Sequence, residues 1–288
     1  MIPKVSILIS VRDQLPFTKR CLDCLEQSLS GVVPYEILVA NDASLEETKK
    51  FLEQSAVISR IFHLSTPQGF GKNNNLLAQH AQGEFLLMLN NDAFVRGDWL
   101  LPMMGVFDSH QNVGFVGNVQ KLFNSCRYDH MGVVFSPIGN PRHYGQGYLH
   151  RPFKGEVRSW SAVTAACCLI KKSLFLSMGG YDEAFVNGCE DVDLCIRLNR
   201  EGYKHYVVHD SVIDHVKGAT TGRKDRNEEN FQILMKKWGT SIRQNESVRD
   251  CYLHARTYLF RPLFKPFGTN IKKFLDAVLI ILRIRRLG

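Results

Sequence analysis

Over the first 90 residues, short β-prone runs alternate with helical patterns, and this alternation limits the fold more than any other feature of the chain. Residues 5–11, VSILISV, form a continuous β-prone run, as in a parallel strand buried on both faces. Further strands are expected at 35–40, 58–64 and 84–89, separated by helical spacing at 18–28, 46–54 and 73–81. Such an order argues for an α/β fold built on an open, mostly parallel sheet flanked by helices. Ligands of these sheets sit beyond the carboxyl ends of the strands. Asp13, Asp42 and Asp92 all fall just past a strand end.

The second half is less regular. Residues 113–119 and 132–135 read as strands, 137–152 as a loop rich in Gly, Pro and His, and 160–170 as one more buried strand. A helix is expected at 172–178, and a second acidic helix start at Glu190-Asp191-Val192-Asp193. The pattern changes near residue 240, so a domain over 1–240 and a helical basic tail over 241–288 are expected.

Of the formal charge of +8, +7 lies in that tail. Residues 256–288 carry eight basic side chains and one acid, whereas the preceding 255 residues carry 28 and 27. A nearly neutral body argues against a nucleic-acid-binding face. The tail alternates apolar and basic groups; Phe274, Leu275, Val278, Leu279, Ile281 and Leu282 can line one broad face. That pattern suits an anionic lipid surface, and equally a helix that closes the domain. No apolar run reaches the roughly 18–20 residues of a membrane span, and the N-terminus lacks a secretory signal's cleavage site. With eight cysteines and no such signal, reduced thiols and a cytoplasmic location are expected, with peripheral contact at the inner face of the plasma membrane. Cys21 and Cys24 form a lone CxxC within a helical pattern, open to a redox role or to simple packing. The sequon Asn245-Glu246-Ser247 is read as chance.

Asn90-Asn91-Asp92 ends a buried strand, where oxygen ligands can hold a hard divalent cation or merely cap a turn. Glu190 and Asp191 stand at a helix start that stabilises negative charge, which suits either a general base or plain capping. Asp193 and Arg197 have the spacing of an intrahelical ion pair. His215 is open to metal ligation or to packing. Gly69-Phe70-Gly71-Lys72-Asn73-Asn74 lacks the spacing of a phosphate loop, although Lys72 at a helix start can face a phosphate. Asp42 can accept from a ribose or base, or cap the next helix.

Taken in order, these pieces resemble the inverting nucleotide-sugar glycosyltransferases of family 2, which have the glycosyltransferase-A fold. The likeness covers roughly residues 4–239. VSILISVRD resembles the opening strand, EILVANDAS the second strand with its nucleotide-contacting Asp, and GFGKNNNLLAQHAQGEFLLMLNNDAFV the donor-site signature. AACCLIKKSLFLSMGGYDEAFVNGCEDVDLCIRLNREGY is similar to the segment ending in the catalytic base, DHVKGAT to the late His motif, and NFQILMKKWG to the closing segment. The resemblance implies Asp191 as base, Asp92, His215 and Asn90 around Mn²⁺ or Mg²⁺, and donor contacts at Val11, Asp13, Asp42, Lys72, Asn74 and Asn91. It further implies acceptor contacts at Glu190 and Trp160, a nucleotide diphosphate-sugar donor and a saccharide or lipid-linked acceptor. DHMGVVFSPIGNPRHYGQG looks like members that build cell-surface polysaccharides.

Three positions depart from the family pattern. Ser10, Arg12 and Asp13 replace its Pro and aromatic-Asn pair, Asn90 replaces the first acid of the metal motif, and Pro67-Gln68 replaces an Asn. These departures leave room for a catalytically inactive nucleotide-sugar-binding partner subunit. A nucleotidyltransferase is excluded by the lack of a basic glycine-rich loop near the N-terminus.

Overall fold

The β-prone run at 5–11 becomes strand β1 (Val5–Val11), an interior strand of the sheet in the computed structural model, which describes residues 2–218, 226–245, 247–264 and 270–284. The chain continues through α1 (Leu15–Leu29), β2 (Tyr35–Asp42), α2 (Glu46–Gln54), β3 (Arg60–Leu64), α3 (Phe70–His80) and β4 (Phe85–Leu89). Next come β5 (Ala93–Phe94), α4 (Leu100–Ser109), β6 (Val113–Leu122), β7 (Tyr128–His130), β8 (Val133–Phe135), β9 (Pro141–His143) and β10 (Val157–Trp160). The order ends with β11 (Cys167–Lys171), α5 (Lys172–Ser177), α6 (Glu190–Arg200), β12 (Lys204–His215), α7 (Asn227–Asn245), α8 (Ser247–Phe264) and α9 (Ile271–Ile281).

The sheet runs β10-β12-β6-β11-β4-β1-β2-β3. Strands β3, β2, β1 and β4 are parallel; β11 enters antiparallel between β4 and β6, and β12 lies parallel to β6. Successive side chains of β1 point to opposite faces, as a strand's period of two requires. Ile7 and Ile9 therefore join the core cluster that includes Leu22, Leu25 and Trp99, whereas Leu8 joins Leu77, Met88 and Phe175 on the other side.

The expected helices form, two of them with earlier starts. Helix α1 begins at Leu15 because Pro16 is pre-set for a first helical turn. Helix α3 begins at Phe70, directly after Gly69, whose φ of +86° suits glycine. The single strand expected at 160–170 is corrected to two. β10 pairs with β12 at the sheet's edge and β11 lies between β4 and β6, so the chain must cross between them over residues 161–166. The 137–152 loop contains β9, which pairs with β8 in a separate hairpin. Helix α7 continues through residue 240, where the sequence places the start of the tail.

All eight cysteines are free, and Cys21 is packed in the core beside Cys24. No helix among the described residues is long and apolar enough to cross a membrane. Glu246 of the sequon, Ala219 and Thr220 of the late motif, and Arg285 and Arg286 of the tail lie outside the described residues.

Buried histidines give the fold a testable acid sensitivity. His205 is fully buried; its Nδ1 accepts from the Phe115 amide at 3.0 Å, and its Nε2 meets the Cys195 carbonyl at 2.9 Å. Burial pushes His205 down to about 4, and burial with nearby arginines does the same for His209 and His254. Between the ordinary value of 6.5 and about 4, the unfolded chain takes up protons that the native state refuses. Stability should therefore fall as pH drops through that window. Thermal melts across it would show a falling midpoint, and a flat profile would contradict the assignment.

Candidate active site

Six strands point the same way, so their carboxyl ends share one rim, and one cavity of about 90 Å³ opens there. Ser10 and Arg12 reach it from the end of β1, Asp42 from β2, and Asn90, Asn91 and Asp92 from the end of β4. The opposite wall is Glu190 and Asp191 at the start of α6, with Thr164, Ala165 and Ala166 from the crossing segment. Asp92 and Asp191 thus face the same space, although 99 residues separate them in the chain.

Strand pairing explains how His215 comes to Asp92. Directly after Asp92, β5 pairs antiparallel with the end of β12, placing Ala93 opposite His215. The Val216 amide then donates to the Asp92 carbonyl at 3.0 Å. As a result His215 Nε2 lies 3.2 Å from Asp92 Oδ1, and both side chains are buried. Asn90 Nδ2 lies 3.5 Å from the same ring nitrogen. A ring nitrogen and a carboxylate oxygen this close, away from water, require a proton or a cation shared between them. Carboxylate oxygen, imidazole nitrogen and an amide that can turn its oxygen inward form a donor set that fits Mn²⁺ or Mg²⁺. Among the described residues no three His, Cys, Asp or Glu side chains converge on one point, so a cation here would take its remaining ligands from substrate and water.

Asp191 is aimed by two backbone amides. Its Oδ1 accepts from Val192 at 2.8 Å and its Oδ2 from Ala165 at 3.0 Å, which leaves each oxygen a further lone pair. Cys189 precedes the helix at a φ of +71°, turning the chain sharply enough to present Glu190 and Asp191 to the cavity. Asp193 points the other way and is fully buried. It forms the expected pair with Arg197 at 2.8 Å and also receives Lys237 Nζ and Trp238 Nε1, each at 2.7 Å, so it joins α6 to α7.

The remaining nominated residues divide. Asp42 is buried in the cavity wall and its carboxylate accepts from the amides of Gln68 and Gly69, at 2.6 and 3.2 Å. It does not cap α2, whose N-cap residue is Leu45. Asn91 lines the cavity, with its amide on Thr18 Oγ1 at 2.9 Å. Val11 is fully buried in the core, and its carbonyl accepts from Ser44 Oγ at 3.2 Å. Asp13 turns away to accept from the Leu45 amide at 2.7 Å, because its φ of +56° redirects the chain. Lys72 points outward, 3.9 Å from Glu183. Asn74 is fully buried and donates to the Phe70 carbonyl of its own helix. Trp160 packs among Tyr144, Phe153 and His209, not on the cavity wall, since β10 lies at the sheet's edge.

Sequence reasoning missed Phe70, Asn187 and the 164–166 backbone as wall residues, and named Ser10 and Arg12 only as departures. Asn187 accepts from the Phe70 amide at 3.0 Å and so ties the start of α3 to the turn before α6. Its Asn-Gly turn was the available signal. Ser10 accepts from Asn73 Nδ2 at 2.7 Å, a contact no spacing rule reveals.

Known proteins bear on this geometry. The model of a family described as "Glycosyl transferase family 2" matches residues 6–175. The O-antigen biosynthesis protein RfbC of Myxococcus xanthus is 33% identical over 211 residues, which are 70% of this chain and 16% of that protein. The N-acetylglucosaminyl-diphospho-decaprenol L-rhamnosyltransferase of Mycobacterium tuberculosis H37Rv is 29% identical over 93 residues, 32% of this chain and 30% of that one. The chain therefore spans well under two thirds of either relative. Among solved structures, GalNAc-T7 with UDP, GalNAc and Mn²⁺ superposes with a TM-score of 0.65 at 14% identity, over 98% of this chain and 56% of that one. The mannosyltransferase PcManGT of Pyrobaculum calidifontis, with GDP-Man and Mn²⁺, gives 0.58 at 17% identity, over 99% and 82%. At such identities these likenesses establish the fold, which is the glycosyltransferase-A fold.

Proposed function

The chain belongs to glycosyl transferase family 2, and on that premise we propose that the strand-end cavity transfers a sugar, with inversion, from a nucleotide diphosphate-sugar to a hydroxyl of a saccharide or lipid-linked acceptor. The observation that carries this reading is the shared cavity of Asp92 and Asp191. The RfbC and rhamnosyltransferase relatives support a place in cell-surface polysaccharide synthesis.

In this scheme the donor lies across the strand ends, with its nucleotide toward Asp42 and its diphosphate toward Asp92 and His215. Mn²⁺ or Mg²⁺, held by Asp92 and His215 with the Asn90 amide, would supply Lewis-acid stabilisation of the departing diphosphate. Asp191 accepts the proton of the acceptor hydroxyl, whose oxygen bonds to the anomeric carbon. The bond from that carbon to the diphosphate oxygen breaks on the opposite face, so configuration inverts without a covalent enzyme intermediate. Glu190, buried in the same wall, faces the acceptor side.

The tail is assigned peripheral contact with anionic lipid at the inner face of the plasma membrane. Helix α9 supports this with two apolar sides: Ala277 and Ile280 pack against Ala255 and Tyr258 of α8, while Leu275, Leu279 and Leu282 remain exposed.

A panel of sugar nucleotides incubated with Mn²⁺ and candidate acceptors tests the proposal. Release of nucleoside diphosphate from at least one donor, abolished by EDTA, is expected. A donor bound but never turned over would assign the chain a binding role only.

A further inference from the structure

A second cavity, of about 450 Å³, lies between the tail helices and the β8–β9 hairpin. Arg142 of β9, Arg261 of α8 and Lys273 of α9 all line it, with Asp276 as the one acid of the wall. Like charges brought to one space from three separate elements repel each other unless an anion enters. Among the described residues none of these three cations forms an ion pair, and the buried Nε of Arg261 has no hydrogen-bond partner. The local field is positive enough that Arg142, Lys273 and Arg261, after burial itself, hold His254 near 4.

Much of the remaining wall is apolar: Val134, Pro137, Ala255, Tyr258, Ala277 and Ile280 line the cavity, and Ile138 of the same wall is 67% exposed. A cationic pocket with hydrocarbon in its wall matches a ligand with an anionic head and an apolar tail. A short chain of polar contacts runs from the tail cavity toward His215. Buried Asp129 accepts from Lys217, two residues beyond His215, at 2.6 Å and pairs with His143 of the tail cavity at 3.3 Å.

We propose that the tail cavity binds the phosphate of a phosphate-bearing lipid through Arg142, Arg261 and Lys273, with the hydrocarbon against the apolar wall of Ile138, Tyr258 and Ile280. This site is independent of the transferase reading, since none of its residues belongs to the strand-end cavity.

The test uses the full chain in EDTA, with farnesyl phosphate as soluble probe and calorimetry as readout. Wild type should bind farnesyl phosphate, and farnesol much more weakly. Arg261→Gln and, separately, Lys273→Gln should each weaken binding about tenfold or more, the scale of one lost charge-assisted contact. Lys273 is exposed, so its variant keeps the test valid if the Arg261 variant misfolds. Nucleoside diphosphate binding with Mn²⁺ should be unchanged in both, which separates this site's failure from that of the strand-end cavity. A second arm measures sedimentation with equimolar phosphatidylcholine–phosphatidylglycerol vesicles. Parallel loss of vesicle binding in the variants assigns bilayer headgroups to the site, and retained vesicle binding assigns it to free isoprenoid phosphates. Undiminished farnesyl phosphate binding in both variants, or none by wild type, overturns the proposal.

Discussion

Replacing Asp191 with Asn is expected to lower turnover by about 10² to 10⁴-fold, the usual worth of a positioned general base. The amide is nearly isosteric but cannot take the acceptor's proton. Both Asp191 oxygens accept from backbone amides, so the new NH₂ must also face either Val192 or Ala165 and lose that bond. Neither bond belongs to the wall formed by Asp42, Asn91 and Asp92, and nucleoside diphosphate binding should therefore survive. The expected pattern is a collapse in kcat with donor affinity preserved, read from initial rates and from calorimetry on the same sample. Near-normal turnover would remove Asp191 from the mechanism.

The second large effect concerns stability. Asp193→Ala deletes a fully buried carboxylate that accepts from Arg197, Lys237 and the Trp238 indole N–H. Lys237 keeps Asp182 and Arg197 keeps the Met178 and Gly180 carbonyls, but the two cations lose the charge that joins them. Breaking a buried ion pair from one side typically costs about 3–5 kcal/mol. That is a large part of the roughly 5–15 kcal/mol that holds a domain together. Urea unfolding should show a correspondingly lower midpoint, with a smaller loss for Asp193→Asn, which keeps one acceptor oxygen. A cost under about 1 kcal/mol, as for an exposed pair, would mean that α6 and α7 are held by other contacts.

The sheet was legible in the sequence because strands buried on both faces leave near-continuous β-prone runs, as 5–11 and 85–89 do. Asp92 and Asp191 were legible for a local reason, one at the end of a recognisable strand and the other at the start of a recognisable helix. His215 came instead from the late motif, since the strand that carries it, β12, was not expected. Their meeting is set by the pairing of β5 with β12 and by the crossing of residues 161–166, neither of which leaves a periodic signal. Side-chain direction at the strand ends was less visible. Asp13 and Lys72 stand beside cavity residues in sequence, yet left-handed backbone at Asp13 and Gln14 and the outward face of α3 send them elsewhere. Trp160 was misplaced because one apolar stretch conceals two strands that lie far apart in the sheet.

Titrating the protein with UDP, GDP and dTDP in the presence of Mn²⁺, wild type against Asp92→Ala, probes the strand-end cavity most directly. At least one nucleotide should bind the wild type only with the metal present, and about tenfold or more weakly once the Asp92 carboxylate is gone, the scale of one charged contact. Metal-independent binding that the substitution leaves unchanged would contradict the account.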